Sequence, residues 1–186
     1  MMESTDLFDS LIKTVSDLGA YKAAVIPTSA VETDISFRAL CEKNTCGNFG
    51  RNWACPPDAG DIEKLIADLY SYGNMLVYQS VGKLEDSFDV DGMALAAEKH
   101  AALTRAVREK VGPLGFSRTL FLGAGGCRVC RVCAKKTDES CRHPDKATPS
   151  LEAYGVNVSK LAPAAGMKYI NGQNTVTYFG AVLLDL

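Results

Sequence analysis

The chain has little of what several functional classes require. Its 186 residues hold only two histidines, His100 and His143, and neither is placed for a Ser–His–Asp or Cys–His nucleophile. No apolar run approaches the roughly 20 residues that span a bilayer. Residues 1–10, MMESTDLFDS, have no basic stretch leading into an apolar one, so an export signal is not expected and a cytoplasmic location is. Charge of one sign is lacking too. The 20 Lys+Arg stand against 22 Asp+Glu, and the net of -2 argues against a chain-wide field for nucleic acid or membrane. Gly123-Ala124-Gly125-Gly126 fits neither G-x-G-x-x-G nor G-x-x-x-x-G-K-[ST], so the common nucleotide loops are excluded. There is no repeat, low-complexity tract or linker, and residues 1–186 are read as one domain.

A core is affordable, since hydrophobic residues make up 47%, within the usual range of about 45–50%. Ser4 or Thr5 is placed to cap a first helix with Leu7, Leu11, Ile12 and Leu18 near helical spacing, ended by Gly19. Residues 21–26, YKAAVI, read as a buried strand. One or two helical turns are expected after Thr33 as cap, with Phe37, Leu40 and Cys41 on one side. Residues 44–60 are loop, and Asp61 caps a helix through Ile62, Leu65, Ile66 and Leu69. Further strands are expected at 74–81 and 117–122. The longest helix is expected at 91–111, with Met93, Ala96, Ala97, Leu103, Val107 and Val111 on one stripe. Short helices follow around 150–154 and 159–165, with Tyr154 and Gly155 at a helix end and turn. The last 20 residues read as two strands around a turn at 171–174. Strands alternating with helices predict an α/β or α+β domain with a mixed sheet, flanking helices and two cysteine-rich loops.

What is present in excess is cysteine: seven, an odd number. Without an export signal they are expected to stay reduced. Buried free cysteines would fall on apolar periodic segments. These gather instead in two polar stretches, Cys41, Cys46 and Cys55 in one and Cys127, Cys130, Cys133 and Cys141 in the other, with 71 residues between. In the second group, three cysteines each two residues apart suit one cuboidal iron–sulfur cluster, with Cys141 as fourth ligand. Zinc remains the alternative, although its four-cysteine sites more often use two separated pairs. In the first group, three cysteines suit a four-iron cluster with one iron open to substrate. The partition stays open: Cys55, followed by Pro56-Pro57, is equally able to complete the triplet, because in two-cluster ferredoxins the Cys before Pro serves the other cluster.

Neighbouring residues add to the picture. Gly123–Gly126 allows close backbone approach, with N–H groups free for cluster sulfides. Arg128, Arg131, Lys135 and Lys136 favour ionised thiols and a raised reduction potential. His143 is a candidate ligand or proton donor, whereas His100 on the long helix reads as a hydrogen-bonded core histidine. Arg51 is a candidate anion binder, and Trp53 a shield against water, beside Asn52.

The segments C-G-N-F-G-R-N-W-A-C-P-P (46–57), C-R-V-C-R-V-C (127–133) and C-R-H-P-D-K-A-T-P-S-L-E-A-Y-G-V-N-V (141–158) resemble, in order, the predicted metal-binding proteins grouped as domain of unknown function 2284. The resemblance implies a small prokaryotic, cytosolic protein whose iron–sulfur cluster is held by these cysteines. It implies no reaction. The function expected is a redox protein with one or two [4Fe-4S] clusters. Cys127, Cys130, Cys133 and Cys141 would hold a relay, and Cys41, Cys46 and Cys55 an open site for a small reductase or sulfur-handling enzyme. A redox partner protein and a small-molecule substrate are the expected partners, with no membrane or nucleic acid. A non-catalytic electron carrier, a metal sensor and a zinc-stabilised interaction domain are the competing readings.

Overall fold

Apolar spacing and turn residues lay out the elements in the computed structural model, which describes residues 4–185. Helix α1 (Ser4–Asp17) buries Leu11 and Val15, and Gly19, at φ +102°, turns the chain into β1 (Lys22–Pro27). Because α1 already includes Ser4 and Thr5, neither precedes it as a cap; the capping position lies outside the described residues. Helix α2 (Phe37–Glu42) begins after Ser36, and Thr33 instead bridges to Val156, so the expected Thr33 cap is corrected. Helix α3 (Ile62–Tyr70) starts at the predicted cap: the Asp61 carboxylate accepts the N–H groups of Glu63 (3.1 Å) and Lys64 (3.2 Å). Strand β2 (Asn74–Lys83) leads to α4 (Val90–Val111), whose cap Asp89 accepts the Gly92 N–H at 2.7 Å. Then come β3 (Arg118–Leu122), a 3-10 turn at Glu152–Tyr154, α5 (Val158–Ala164) and β4 (Thr175–Asp185).

The four strands form one sheet in the order β1-β2-β4-β3. Every neighbouring pair is antiparallel, so the α+β reading holds and the mixed sheet is corrected. Strands β2 and β3, joined through α4, do run in the same direction. They are not neighbours, because β4 inserts between them and pairs antiparallel with both. The two-strand C-terminus is corrected as well: residues 167–170 form no strand, and β4 finds its partners in β2 and β3.

Helices cover both faces. Met75, Val77, Leu122, Phe179, Ala181 and Leu183 pack with Leu69 of α3, Leu151, Tyr154 and Leu161 of α5. On the other face Leu76, Tyr78, Phe121, Val182 and Leu184 pack with Leu11 and Val15 of α1 and Leu103, Val107 and Val111 of α4. With both faces covered, β4 is buried without a break from Phe179 to Leu184 rather than at alternate positions. Among the described residues no helix is long and apolar enough to cross a membrane.

The sheet also fixes both ends of the second cysteine segment. Past β3, the Gly123 N–H donates to Pro149 O (2.8 Å) and the Leu151 N–H donates to Gly123 O (3.0 Å). Residues 124–148 therefore leave and re-enter the core at one place.

Candidate metal centre

The first cysteine segment closes on itself. The Gly50 N–H donates to Pro56 O, Cys55 to Asn52 O, and Ala59 to Cys55 O, each at 2.9 Å. Cys41 lies on α2 and is half-buried, Cys46 is exposed, and Cys55 is buried.

The second segment is built differently. Among the described residues, no backbone N–H from Ala124 to Cys133 donates to any protein group. Ten successive donors thus have no protein partner, where most backbone donors in folded proteins are paired. Such a run is a surface for anionic atoms, thiolate and sulfide included.

Side chains knit the two segments together. Asn52, only 4% exposed, donates to Cys127 O at 3.2 Å and accepts the Ala54 N–H at 3.1 Å. The Trp53 indole donates to Glu139 O at 2.9 Å. Lys135 pairs with Asp58 at 2.8 Å and lies 4.3 Å above the Trp53 ring. A Cβ at Gly126 would come within 2.9 Å of the Asn48 amide, which would have to move aside.

Cys127, Cys130, Cys133 and Cys141 line one cavity of about 20 Å3 with Asn52, Trp53 and His143. That is room for about one water. His143 is exposed at its mouth, while His100 is buried on α4, its Nδ1 2.8 Å from Ser80 Oγ. A second cavity, about 200 Å3, shares Asn52, Cys127, Cys130 and Cys133 and is otherwise lined by Asn48, Gly126 and the cations Arg51, Arg128, Arg131 and Lys136. A third, about 380 Å3, lies against Cys41 and Cys46, walled by Phe37, Leu40, Val158 and Tyr169 with the polar groups of Glu152, Asn157 and Ser159.

Cys55 lies close to both groups. Burial, and then the neighbouring thiols of Cys46, Cys41, Cys127 and Cys133, push it up to about 12. Burial likewise raises Cys41, opposed by Arg38. Among the described residues no three His, Cys, Asp or Glu side chains are disposed to hold a single metal ion. The donors are nevertheless of one soft kind, and four of them share a cavity wall beneath unpaired N–H groups. That chemistry fits a thiophilic metal.

Sequence reading had missed Asp58, Glu139 and Asn48, whose partners lie 77, 86 and 78 residues away and leave no local signal. The pocket wall from Glu152, Asn157 and Tyr169 was missed for the same reason.

Comparison with curated proteins and with solved structures finds no match. The family comparison does match: residues 24–184 fit the model described as "Predicted metal-binding protein (DUF2284)", and the chain belongs to that family.

Proposed function

We propose that this metal-binding protein is an iron–sulfur redox protein in which Cys127, Cys130, Cys133 and Cys141 hold one four-iron cluster. The observation that carries the reading is the run of unpaired N–H groups from Ala124 to Cys133, on the segment that also holds three of these four thiols. Free amides bonding to thiolate and sulfide tune a cluster's potential, and a cluster so held supplies one-electron chemistry. Asn52 fixes the Cys127 carbonyl, and Trp53 forms part of the wall of the cavity that the four thiols line. Cys41, Cys46 and Cys55 are the ligands proposed for a second, open cluster. The 380 Å3 pocket beside Cys41 and Cys46 is within the roughly 300–1,000 Å3 of small-molecule sites, and its few polar groups suit an orienting role.

A zinc-held interaction domain is the second reading. It draws on the small volume between the four thiols, which suits one ion better than a four-iron core. The thiols do not converge on one point, and the N–H groups from Ala124 to Cys133, bound to no other backbone group, leave the segment freer to open around a larger core, which supports the cluster.

Iron, acid-labile sulfide and zinc per chain, measured after purification without oxygen, separate these readings. Two clusters give about eight irons and one gives about four, each with matching sulfide and a paramagnetic signal on reduction. Zinc without labile sulfide would sink the redox reading. Cys141→Ser and Cys55→Ser report the partition: with the proposed ligand sets, each removes iron from a different cluster.

A further inference from the structure

The second cysteine segment carries cations that the fold does not neutralise. From Gly123 to Lys136 there are two arginines and two lysines and no Asp or Glu, in a chain whose charges otherwise nearly balance. Lys135 is engaged by Asp58, and Arg142, further on, by Glu139. Among the described residues, Arg128, Arg131 and Lys136 have no ion pair, and neither does Arg51 from the first segment. All four are exposed, and all four line the 200 Å3 cavity, which no carboxylate borders.

We propose that this cavity binds a small, multiply charged oxyanion of the phosphate or sulfate class, held by Arg51, Arg128, Arg131 and Lys136. Guanidinium groups present paired donors that match such oxyanions, and lysine adds a mobile point charge. Four like charges around one small space repel one another, and a bound anion relieves that repulsion. Asn48, Asn52, Gly126 and Cys127 also border the cavity, and the backbone N–H groups of the last two have no protein acceptor, so they add neutral donors to the cations. The volume lies below the roughly 300 Å3 at which sites for larger organic ligands begin, so the cavity selects a compact ion.

The cations are not simply counter-charges for the cysteines. Cys141 is absent from this cavity, and the one cation on the cavity where all four cysteines meet, Arg142, is already paired with Glu139. The unpaired cations line the cavity that shares Cys127, Cys130 and Cys133 but not Cys141. An ion bound there would sit beside the proposed cluster ligands while remaining open to solvent. The inference does not depend on which metal the thiols hold.

The test is calorimetric titration of the metal-loaded protein with sodium phosphate and sodium sulfate at low ionic strength. R128Q/R131Q, R128K/R131K, R51Q and the distant K160Q are titrated alongside, with metal content and melting temperature measured for each. The expected result is saturable binding of one ion per chain. It should weaken at least tenfold in R128Q/R131Q and several-fold in R51Q, fall between in the lysine pair, and stay unchanged in K160Q. Absence of saturable binding overturns the inference, as does affinity unchanged from the parent in both R128Q/R131Q and R51Q. Loss of metal from R128Q/R131Q without anion binding by the parent overturns it too, because the charges would then serve the thiols. A single-stranded oligonucleotide that binds more tightly than phosphate assigns the patch to nucleic acid and also overturns it. Anion binding by protein that holds zinc and no sulfide upholds this inference while removing the iron–sulfur reading.

Discussion

Burial acts on Cys55 and His100 in opposite directions, and in both cases it favours the neutral form. His100 is 2% exposed on α4 between Tyr78 and Tyr178, and desolvation lowers it from 6.5 to about 4. Its folded value lies below its unfolded one, so above pH 6.5 neither state is protonated and no stability is lost. As pH falls from about 6.5 to about 4, the unfolded chain takes up a proton that the folded chain refuses, which costs roughly 3 kcal/mol in all. Urea unfolding of the parent and His100→Gln across that window should show the difference in stability between them shrinking toward low pH. A constant difference would refute the linkage. The sequence already marked His100 as a core residue from its place on the helix stripe. The size of the shift required the packing of the sheet beneath it.

At the scale of elements, β4 shows how much one strand depends on its neighbours. Gly180 stands directly opposite Tyr78 of β2, and the Tyr78 ring covers the space a side chain at 180 would need. Tyr78 has no room to yield, being fully buried with its hydroxyl donating to Thr104 Oγ1 at 3.0 Å. Gly180→Val should therefore destabilise by about 1–3 kcal/mol through overpacking, despite valine's preference for strands, with the loss visible in chemical denaturation. The glycine reads from sequence as a flaw in a strand, and only the register reveals the tyrosine. The same limit explains the missed C-terminal pairing. Residues 167–170 resemble a strand locally, but β4 pairs with β2 over ten residues brought from elsewhere in the chain. Helices α3 and α4 were legible because apolar spacing and an Asp cap are local features.

Across the whole molecule, the candidate site exists because two segments separated by 71 residues are held against each other. Asn52 is the buried link. Asn52→Ala leaves the Cys127 carbonyl and the Ala54 N–H unpaired, a change expected to cost about 1–3 kcal/mol. It should also lower metal retention during gel filtration without oxygen, although no ligand is removed. Full metal content in a stable Asn52→Ala protein would show that the segments keep their alignment without it.

The sequence by itself determined the main helices, the apolar strands and the grouping of seven cysteines into two segments of soft donors, because each is written in neighbouring residues. Tertiary structure alone decided the antiparallel order of the sheet and the place of Cys55 near both groups. It also decided which cations stay unpaired. Lys135 and Lys136 are adjacent and chemically alike, yet one is paired with Asp58 and the other lines the anion cavity. That difference follows from where a carboxylate 77 residues away comes to rest, and no local pattern encodes it.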